Sequence, residues 1–506
     1  MAKASRASRS VELERKFAVP ESGLSPSFHG MSGVVSRLEQ LPTQHLEATY
    51  FDTERHELAA NRITLRRRSG GSDEGWHLKL PTAAGAGPEA RTEVRVPLGP
   101  DLPPELRDMV LAIVRDHPLH PVARISTARD VTLLHGPDGA PLAEFCDDRV
   151  TAWRVGGADG DAGADGAGAD QEQQWREWEL ELVDGRGKDA AKLLDRLTNR
   201  LLEAGAAPAG HASKLAKVLG AVVPTAPPPP DDPVHRAVAE QVAALLEWDR
   251  AVRADSDDAI HQMRVTIRQI RSLLQASEEE FGLTDDATIL SELRELAAVL
   301  GVARDAEVLA ERYRDALDAL PPEMVRGPVR ARLVDGGWQR YKAGLNRSLK
   351  AMRSARYFRL LDALDTVVVT GPPPGEDHPH ATIASGYKRV HKRAAVAAET
   401  GTEHERDEAL HAVRKAAKRL RYVAAATGQS AVSARAKTIQ TLLGDHQDSV
   451  VSRTHLLAEA DAAHAAGEDT FTYGVLFQLE EELSLRCREQ LDGALKSLRR
   501  SVRKAR

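Results

Sequence analysis

Cysteine is almost absent. Cys146 and Cys487 are the only two in 506 residues, far apart and in unrelated contexts, so a disulfide framework and a thiolate metal site are both excluded. Long apolar runs are missing as well: no stretch approaches the roughly 18 uninterrupted apolar residues of a membrane-spanning helix. The basic N-terminus, MAKASRASRSVELERKF, is not followed by an apolar segment, which argues against a secretory signal. A reducing cytoplasm is the expected setting. Nor is there a large excess of one charge: 69 basic and 75 acidic side chains give a net charge of −6. Divided at Pro233, the two parts carry 28 basic against 35 acidic and 41 against 40. Neither is basic overall, so nucleic-acid binding through bulk charge is disfavoured, and any anion site must come from local arrangement.

What is present is ordinary for a soluble protein, with 42% hydrophobic and 28% charged residues. The length suggests about three folding units at ~150 residues each. The clearest boundary is VVPTAPPPPDDP, residues 222–233, whose four consecutive prolines favour an extended spacer. A Gly/Ala/Asp tract at 156–170 reads as a flexible insertion within a domain. TGPPPGEDHPH, residues 370–380, divides the second half.

Before the proline spacer, short segments alternate charged and apolar residues: VELERKFAV, ITLRRR, WHLKLP, RTEVRVPL and WREWELELV. Alternation places every second side chain on one strand face, and the Gly/Pro signals between segments predict a mostly antiparallel sheet. Glu12, Glu14 and Lys16 share a face, as do Arg66 with Arg68, Arg91 with Glu93 and Arg95, and Glu177 with Glu179 and Glu181. Each set could be the solvated side of a sheet. Leu13, Leu180 and Leu182 show, however, that the opposite face is apolar. If the charged faces line a closed barrel, acids and bases converge in one cavity. Carboxylates suit Mg²⁺ or Mn²⁺, and guanidinium and ammonium groups suit phosphate oxygens. Together they are the means of phosphoryl transfer.

VELERKF supplies Glu-x-Glu-x-Lys, and YFDT, LRRR, WHLKLP, RTEV, EFCDD and WELEL follow in order. On these motifs residues 10–220 resemble a CYTH domain, the triphosphate tunnel metalloenzyme family. The resemblance implies a closed antiparallel β-barrel with helices, whose tunnel binds triphosphate beside a divalent metal. It implies that Glu12, Glu14, Glu179 and Glu181 hold the metal and, with Lys16, carry catalysis. It further implies that Arg66, Arg68, Lys79, Arg91, Arg124, Arg129 and Lys214 bind substrate phosphates. The implied activity is hydrolysis of inorganic triphosphate. Left open are an organic triphosphate such as thiamine triphosphate, and a tunnel that only holds phosphate.

Beyond the spacer the chain reads as helices nearly throughout. His261, Arg264, Arg268 and Arg271 recur as His411, Arg414, Lys418 and Arg421, 150 residues later. Leu300-Gly301 with Asp305 recurs as Leu443-Gly444 with Asp448, which points to a tandem duplication. The His/Arg spacing falls within about 80° of a helix, a basic stripe; Lys415 and Arg419 thicken the second copy. Such a stripe is either a solvated face or a site for an extended anion. HQMRVTIRQIRSLL and LHAVRKAAKRLRY resemble the signature helices of a CHAD domain. This resemblance, over 234–506 with repeats at 234–369 and 381–506, implies an all-α domain of two pseudo-symmetric four-helix bundles. It also implies that both stripes bind inorganic polyphosphate, and with it an association with polyphosphate granules. Gln269 stands where the family usually has a second base, so the first stripe is expected to bind more weakly. Asp305 and Asp448 are expected to be caps or arginine partners, and the two histidines phosphate donors. The spacer is expected to keep the basic bundle near the tunnel and so raise the local concentration of phosphate chain there.

Overall fold

The structure is a computed structural model, and it describes residues 8–28, 31, 33–82, 90–155, 172–183, 189–225, 228–276, 288–370 and 383–505. The expected insertion at 156–170 and nearly all of the 370–380 break lie outside the described residues. The chain forms two compact units, Met1–Pro229 with Asp249–Ser256, and Pro230–Trp248 with Asp257–Arg506.

The first unit is built from β1 (Ser8–Ala18), β2 (Arg37–Gln40), β3 (Gln44–Asp52), β4 (Thr64–Ser69), β5 (Gly75–Pro81), β6 (Ala90–Val96), β7 (His120–His135), β8 (Pro141–Arg154), β9 (Gln173–Leu182) and β10 (Ala207–Pro208). Eight strands run β1-β6-β5-β4-β3-β7-β8-β9, and β9 pairs back onto β1, closing an antiparallel barrel; β2 and β10 add to β7 and β1. The alternation expected from the sequence is inverted relative to an ordinary core, because the polar faces point inward. Helices cover the apolar outer face. Leu106, Val110 and Val114 of α2 (Pro104–Val114), which follows the short α1 (Glu57–Ala60), pack on Leu65, Trp76, Leu78 and Val94. Leu194, Leu197 and Leu201 of α3 (Ala190–Glu203) pack on Leu13, Phe17, Trp178 and Leu180. Each of these fully buried aliphatic side chains contributes about 1.5–3 kcal/mol. The apolar face of β1 and β9 thus has its partner in α3. A fourth helix, α4 (Lys214–Leu219), differs in packing against inward-facing residues: Leu215, Val218 and Leu219 meet Tyr50 and Ile125, with Val150 and Ala152.

The second unit holds most of α5 (Pro233–Arg253) and all of α6 (Ala259–Ala276), α7 (Thr288–Ala319), α8 (Gly336–Ala351), α9 (Ala355–Thr370), α10 (Ile383–Glu399), α11 (Glu403–Ala426), α12 (Ser430–Ala465) and α13 (Phe471–Lys504). In α5–α8 and again in α10–α13, the His/Arg helix comes second and the Leu-Gly helix third. The sequence repeat is therefore a repeat of helices. Val390, Leu420, Ile439, Leu443 and Leu498 form a core of the second set. A reciprocal capping box, Thr402 with Glu405, starts α11. One element departs from the expected four-plus-four arrangement. Helix α9 is a fifth helix of the first set, tied to α5 by His235 Nε2 and the Val368 carbonyl at 2.7 Å. Among the described residues no helix of the second set corresponds to it.

Candidate active site and anion groove

Cross-strand register places unlike charges opposite one another: Glu12 faces Arg91, Lys16 faces Glu179 and Lys79 faces Glu93. Such pairs stabilise a polar interior that would otherwise be prohibitive. The result is a cavity of about 410 Å³ lined by Glu12, Glu14, Lys16, Arg66, Arg68, Lys79, Arg91, Arg129, Glu179, Glu181 and Lys214, with Tyr50, Glu93, Asp73 and Glu144. Of the tunnel residues expected from the sequence, all but one line it.

The exception is Arg124. Ile125, Thr127 and Arg129 of β7 face the cavity, so Arg124 belongs to the other face of the strand, and it is exposed. It does not line the cavity.

The four expected metal carboxylates also divide differently. Glu12, Glu14 and Glu181 bring oxygens within 4.8 Å of one another, whereas Glu179 makes a second such cluster with Asp148 and Glu177. In the first cluster, Lys79 reaches Glu12 at 2.6 Å and Lys16 reaches Glu14 at 2.6 Å. Burial pushes Glu14 up, but Lys16 and Lys79 overcome it and hold its pKa at about 2. For Glu181 the pull of Lys79 is outweighed. Burial, then the Glu12 charge, pushes its pKa to about 8, and no cation pairs with it among the described residues. Three convergent carboxylates, one of them without a cation, form a hard-oxygen donor set that fits Mg²⁺ or Mn²⁺.

In the second cluster Lys214 Nζ lies 2.8 Å from Asp148, 2.7 Å from Glu177 and 2.8 Å from Glu179. Burial opposes its charge, yet these carboxylates raise its pKa well above that of a free lysine. In the substrate-free tunnel the Lys214 ammonium, expected to meet phosphate, is engaged by these three carboxylates. Arg129 pairs with Asp148 at 2.7 Å and also contacts Glu179.

The remaining cations form a wall. Arg66 donates to the Tyr50 hydroxyl at 3.2 Å, and Arg68 contacts Asp73. Burial and the neighbouring Arg66 lower the Arg68 pKa to about 10. Nε of both Arg66 and Arg68 is buried without a hydrogen-bond partner. Buried donors of this kind cost roughly 1–3 kcal/mol until an acceptor arrives. The YFDT motif also acquires a structural reason: Asp52 accepts from the amides of Thr53, Leu58 and Ala59 at 2.7–2.9 Å, fixing the turn into α1.

Glu93, Asp148 and Glu177 were not assigned roles from sequence. Glu93 accepts from His77 Nδ1 at 3.0 Å and contacts Arg95. Glu93 and Glu177 share strand faces with assigned residues, and Asp148 shares one with Glu144, so the alternation itself was the available signal.

In the helical unit His261, Arg264, Arg268 and Arg271 lie on α6, and His411, Arg414, Lys415, Lys418, Arg419 and Arg421 on α11. The two stripes act on each other. Burial, then Arg264, then Arg414 on α11 lower the pKa of Arg268. Burial, then Arg268 on α6, Arg414 and Arg421 bring Lys418 to about 8. Burial, then the neighbouring cations, likewise lowers the pKa of both histidines. Nε of Arg264, Arg268, Arg271 and Arg414 is buried with no hydrogen-bond partner. Lys415 and Arg419 are exposed. The Leu-Gly-Asp repeat serves the arginines: a Cβ on Gly301 would sit 3.2 Å from Arg264 Nη2, and one on Gly444 would sit 3.6 Å from Arg414. Asp305 accepts from Arg264 Nη1 at 3.1 Å. Asp305 and Asp448 are mid-helix; Asp305 is an arginine partner, as expected, and neither is a cap.

Comparison with known proteins agrees with this architecture. The CYTH domain model matches residues 10–204 and the CHAD domain model residues 236–457. The uncharacterized proteins MT2285 and Rv2226 of Mycobacterium tuberculosis (strains CDC 1551 / Oshkosh and ATCC 25618 / H37Rv) are each 62% identical over 515 residues, covering 99% of both chains. Among solved structures, PptA from Streptomyces chartreusis is 18% identical, covers 52% of this chain and 98% of its own, and has a TM-score of 0.43. The CHAD domain from the plant Ricinus communis is 20% identical, covers 53% and 90%, and has a TM-score of 0.39. The chain is a CYTH–CHAD protein, a member of the triphosphate tunnel enzyme family that carries a helical CHAD domain. Among the described residues no helix is long and apolar enough to cross a membrane.

Proposed function

We propose that the barrel, assigned to residues 10–220, hydrolyses inorganic triphosphate to pyrophosphate and phosphate with Mg²⁺ or Mn²⁺, and that residues 234–506 bind inorganic polyphosphate. One observation carries the first part. A three-carboxylate cluster and the unpartnered guanidinium donors of Arg66 and Arg68 share one cavity. A tunnel that only held polyanion would gain nothing from buried carboxylates, which repel phosphate unless a metal lies between them.

Glu12, Glu14 and Glu181 would hold the ion, which when bound supplies charge neutralisation and an acidified water. Arg66 and Arg68 offer free donors to phosphate oxygens, and Arg91 and Lys79 add charge along the same wall. Hydrolysis breaks one P–O–P bond and leaves new negative charge on the departing pyrophosphate, which these cations stabilise. Lys16, fixed between Glu14 and Glu179 at 2.6 and 3.3 Å, bridges the two acidic clusters and offsets the repulsion between them. A panel of inorganic triphosphate, pyrophosphate, ATP and thiamine triphosphate, each with both metals, tests the assignment. Fastest phosphate release is expected from inorganic triphosphate, and faster turnover of thiamine triphosphate would replace it as the substrate.

For the helical domain the supporting observation is the convergence of two basic stripes whose buried arginine Nε groups lack acceptors. Reversal of Arg264, Arg268, Arg414 and Lys418 to Glu in the full chain should abolish binding of long polyphosphate and leave triphosphate hydrolysis within about 2-fold. Wild-type binding should weaken as salt rises, since screening acts on ionic contacts at ~8–10 Å. Unchanged affinity in the reversed protein would return the stripes to a solvated face.

A further inference from the structure

The barrel contains two carboxylate triads of similar make-up, Glu12–Glu14–Glu181 and Asp148–Glu177–Glu179. On ligand chemistry alone both suit a hard divalent cation. What separates them is the cation the chain itself provides.

In the second triad the Lys214 ammonium offers three N–H donors to three carboxylates, at 2.8, 2.7 and 2.8 Å. It is 7% exposed. Its position is fixed by packing: Ser213 Oγ caps α4 by accepting from the Ala216 amide at 3.0 Å, and Leu215 beside it is 1% exposed. Arg129 adds a second cation on Asp148 and Glu179. A divalent ion entering here would meet an ammonium with little room to withdraw, at a separation where like charges repel strongly in a poorly solvated interior. The first triad differs. Lys79 reaches Glu12 and Glu14 at 2.6 and 3.5 Å, Lys16 reaches Glu14 at 2.6 Å and Arg95 reaches Glu12 at 2.9 Å, but none of them pairs with Glu181, so among the described residues no single cation spans that triad.

We propose that Lys214 is a built-in counter-ion that closes the Asp148–Glu177–Glu179 triad to divalent cations, so that the substrate-free tunnel binds a single ion, at Glu12, Glu14 and Glu181. The inference rests on the metal-dependent reading of the tunnel and assigns its stoichiometry. Lys214 is thereby a positioning residue that directs the ion to one of two similar clusters.

The test is Mn²⁺ binding to the full-length, substrate-free protein, followed by electron paramagnetic resonance of free Mn²⁺ and by calorimetry. The wild type should bind one equivalent, Lys214→Arg one, and Lys214→Met two. Glu181→Gln should lose tight binding altogether, because the other triad remains closed by Lys214; this variant keeps the inference testable if Lys214→Met fails to fold. Two equivalents on the wild type, one on a folded Lys214→Met, or full-affinity binding to Glu181→Gln would each overturn the proposal. No Mn²⁺ on the wild type at millimolar metal would instead overturn the metal-dependent reading beneath it.

Discussion

Arg124 and Arg129 lie on the same strand, yet one faces solvent and the other meets Asp148 and Glu179 inside the barrel. Sequence could not tell them apart. In PVARISTARD neither alternate set of positions is clearly apolar, so the pattern gives no inner face. On β1 and β9 the intervening Leu13, Leu180 and Leu182 do, and there the inward residues were legible. Arg129→Ala should lower phosphate release from triphosphate by about 100-fold or more, the scale of removing a preorganised electrostatic group. Arg124→Ala should leave it within about 2-fold, with steady-state assays of both variants deciding. The division of the four glutamates between two clusters was hidden for a similar reason. Alternation gives the face of a residue, but the partner that captures its carboxylate, Lys214, comes from a distant helix. At Gly301 the constraint is space: a Cβ would press on Arg264 at 3.2 Å. Gly301→Val should displace that guanidinium from Asp305 and weaken polyphosphate binding by roughly 3–10-fold, about the worth of one charged hydrogen bond partly lost. The melting temperature should barely change, because the displaced atoms end a flexible side chain. An equilibrium binding titration beside a thermal melt separates the two effects.

At the scale of elements, strands and helices were legible where period and punctuation agreed. The five alternating segments are β1, β4, β5, β6 and β9, and the two His/Arg signatures are α6 and α11. Helix α9 was not foreseen. Its sequence, ARYFRLLDALDTVVVT, runs up to the proline-rich break and has no match in the second repeat, so nothing distinguished it from the helix before it. The stripe on α11 carries a pH dependence of its own. Lys418, lowered to about 8 by burial and by Arg268, Arg414 and Arg421, is charged below that pH and neutral above it. A bound polyanion raises this pKa, so binding takes up a proton. Affinity for polyphosphate should therefore fall as pH rises from 8 toward the ~10.4 of an ordinary lysine. Titrations at pH 6.5, 7.5, 8.5 and 9.5 check this, and Lys418→Arg should remove the fall. An affinity that rises over that range would contradict the assignment of Lys418 to the groove.

For the whole molecule, a net charge of −6 conceals two separate concentrations of positive charge, one inside a barrel and one along a pair of helices. Overall composition could exclude a bulk polyanion binder but not these sites, because each depends on which faces the fold brings together. The two sites share a device, buried arginine Nε groups with no acceptor in the protein. They differ in that only the barrel adds a carboxylate cluster suited to a metal. That difference is why hydrolysis is assigned to one and binding to the other. The most direct measurement is phosphate release from inorganic triphosphate by the full-length protein with Mg²⁺ or Mn²⁺, compared with Glu12→Ala whose fold is verified by circular dichroism. Metal-dependent release by the wild type that is abolished by chelation and by Glu12→Ala is the predicted result. No release from the wild type with either metal, or equal release from Glu12→Ala, would contradict it.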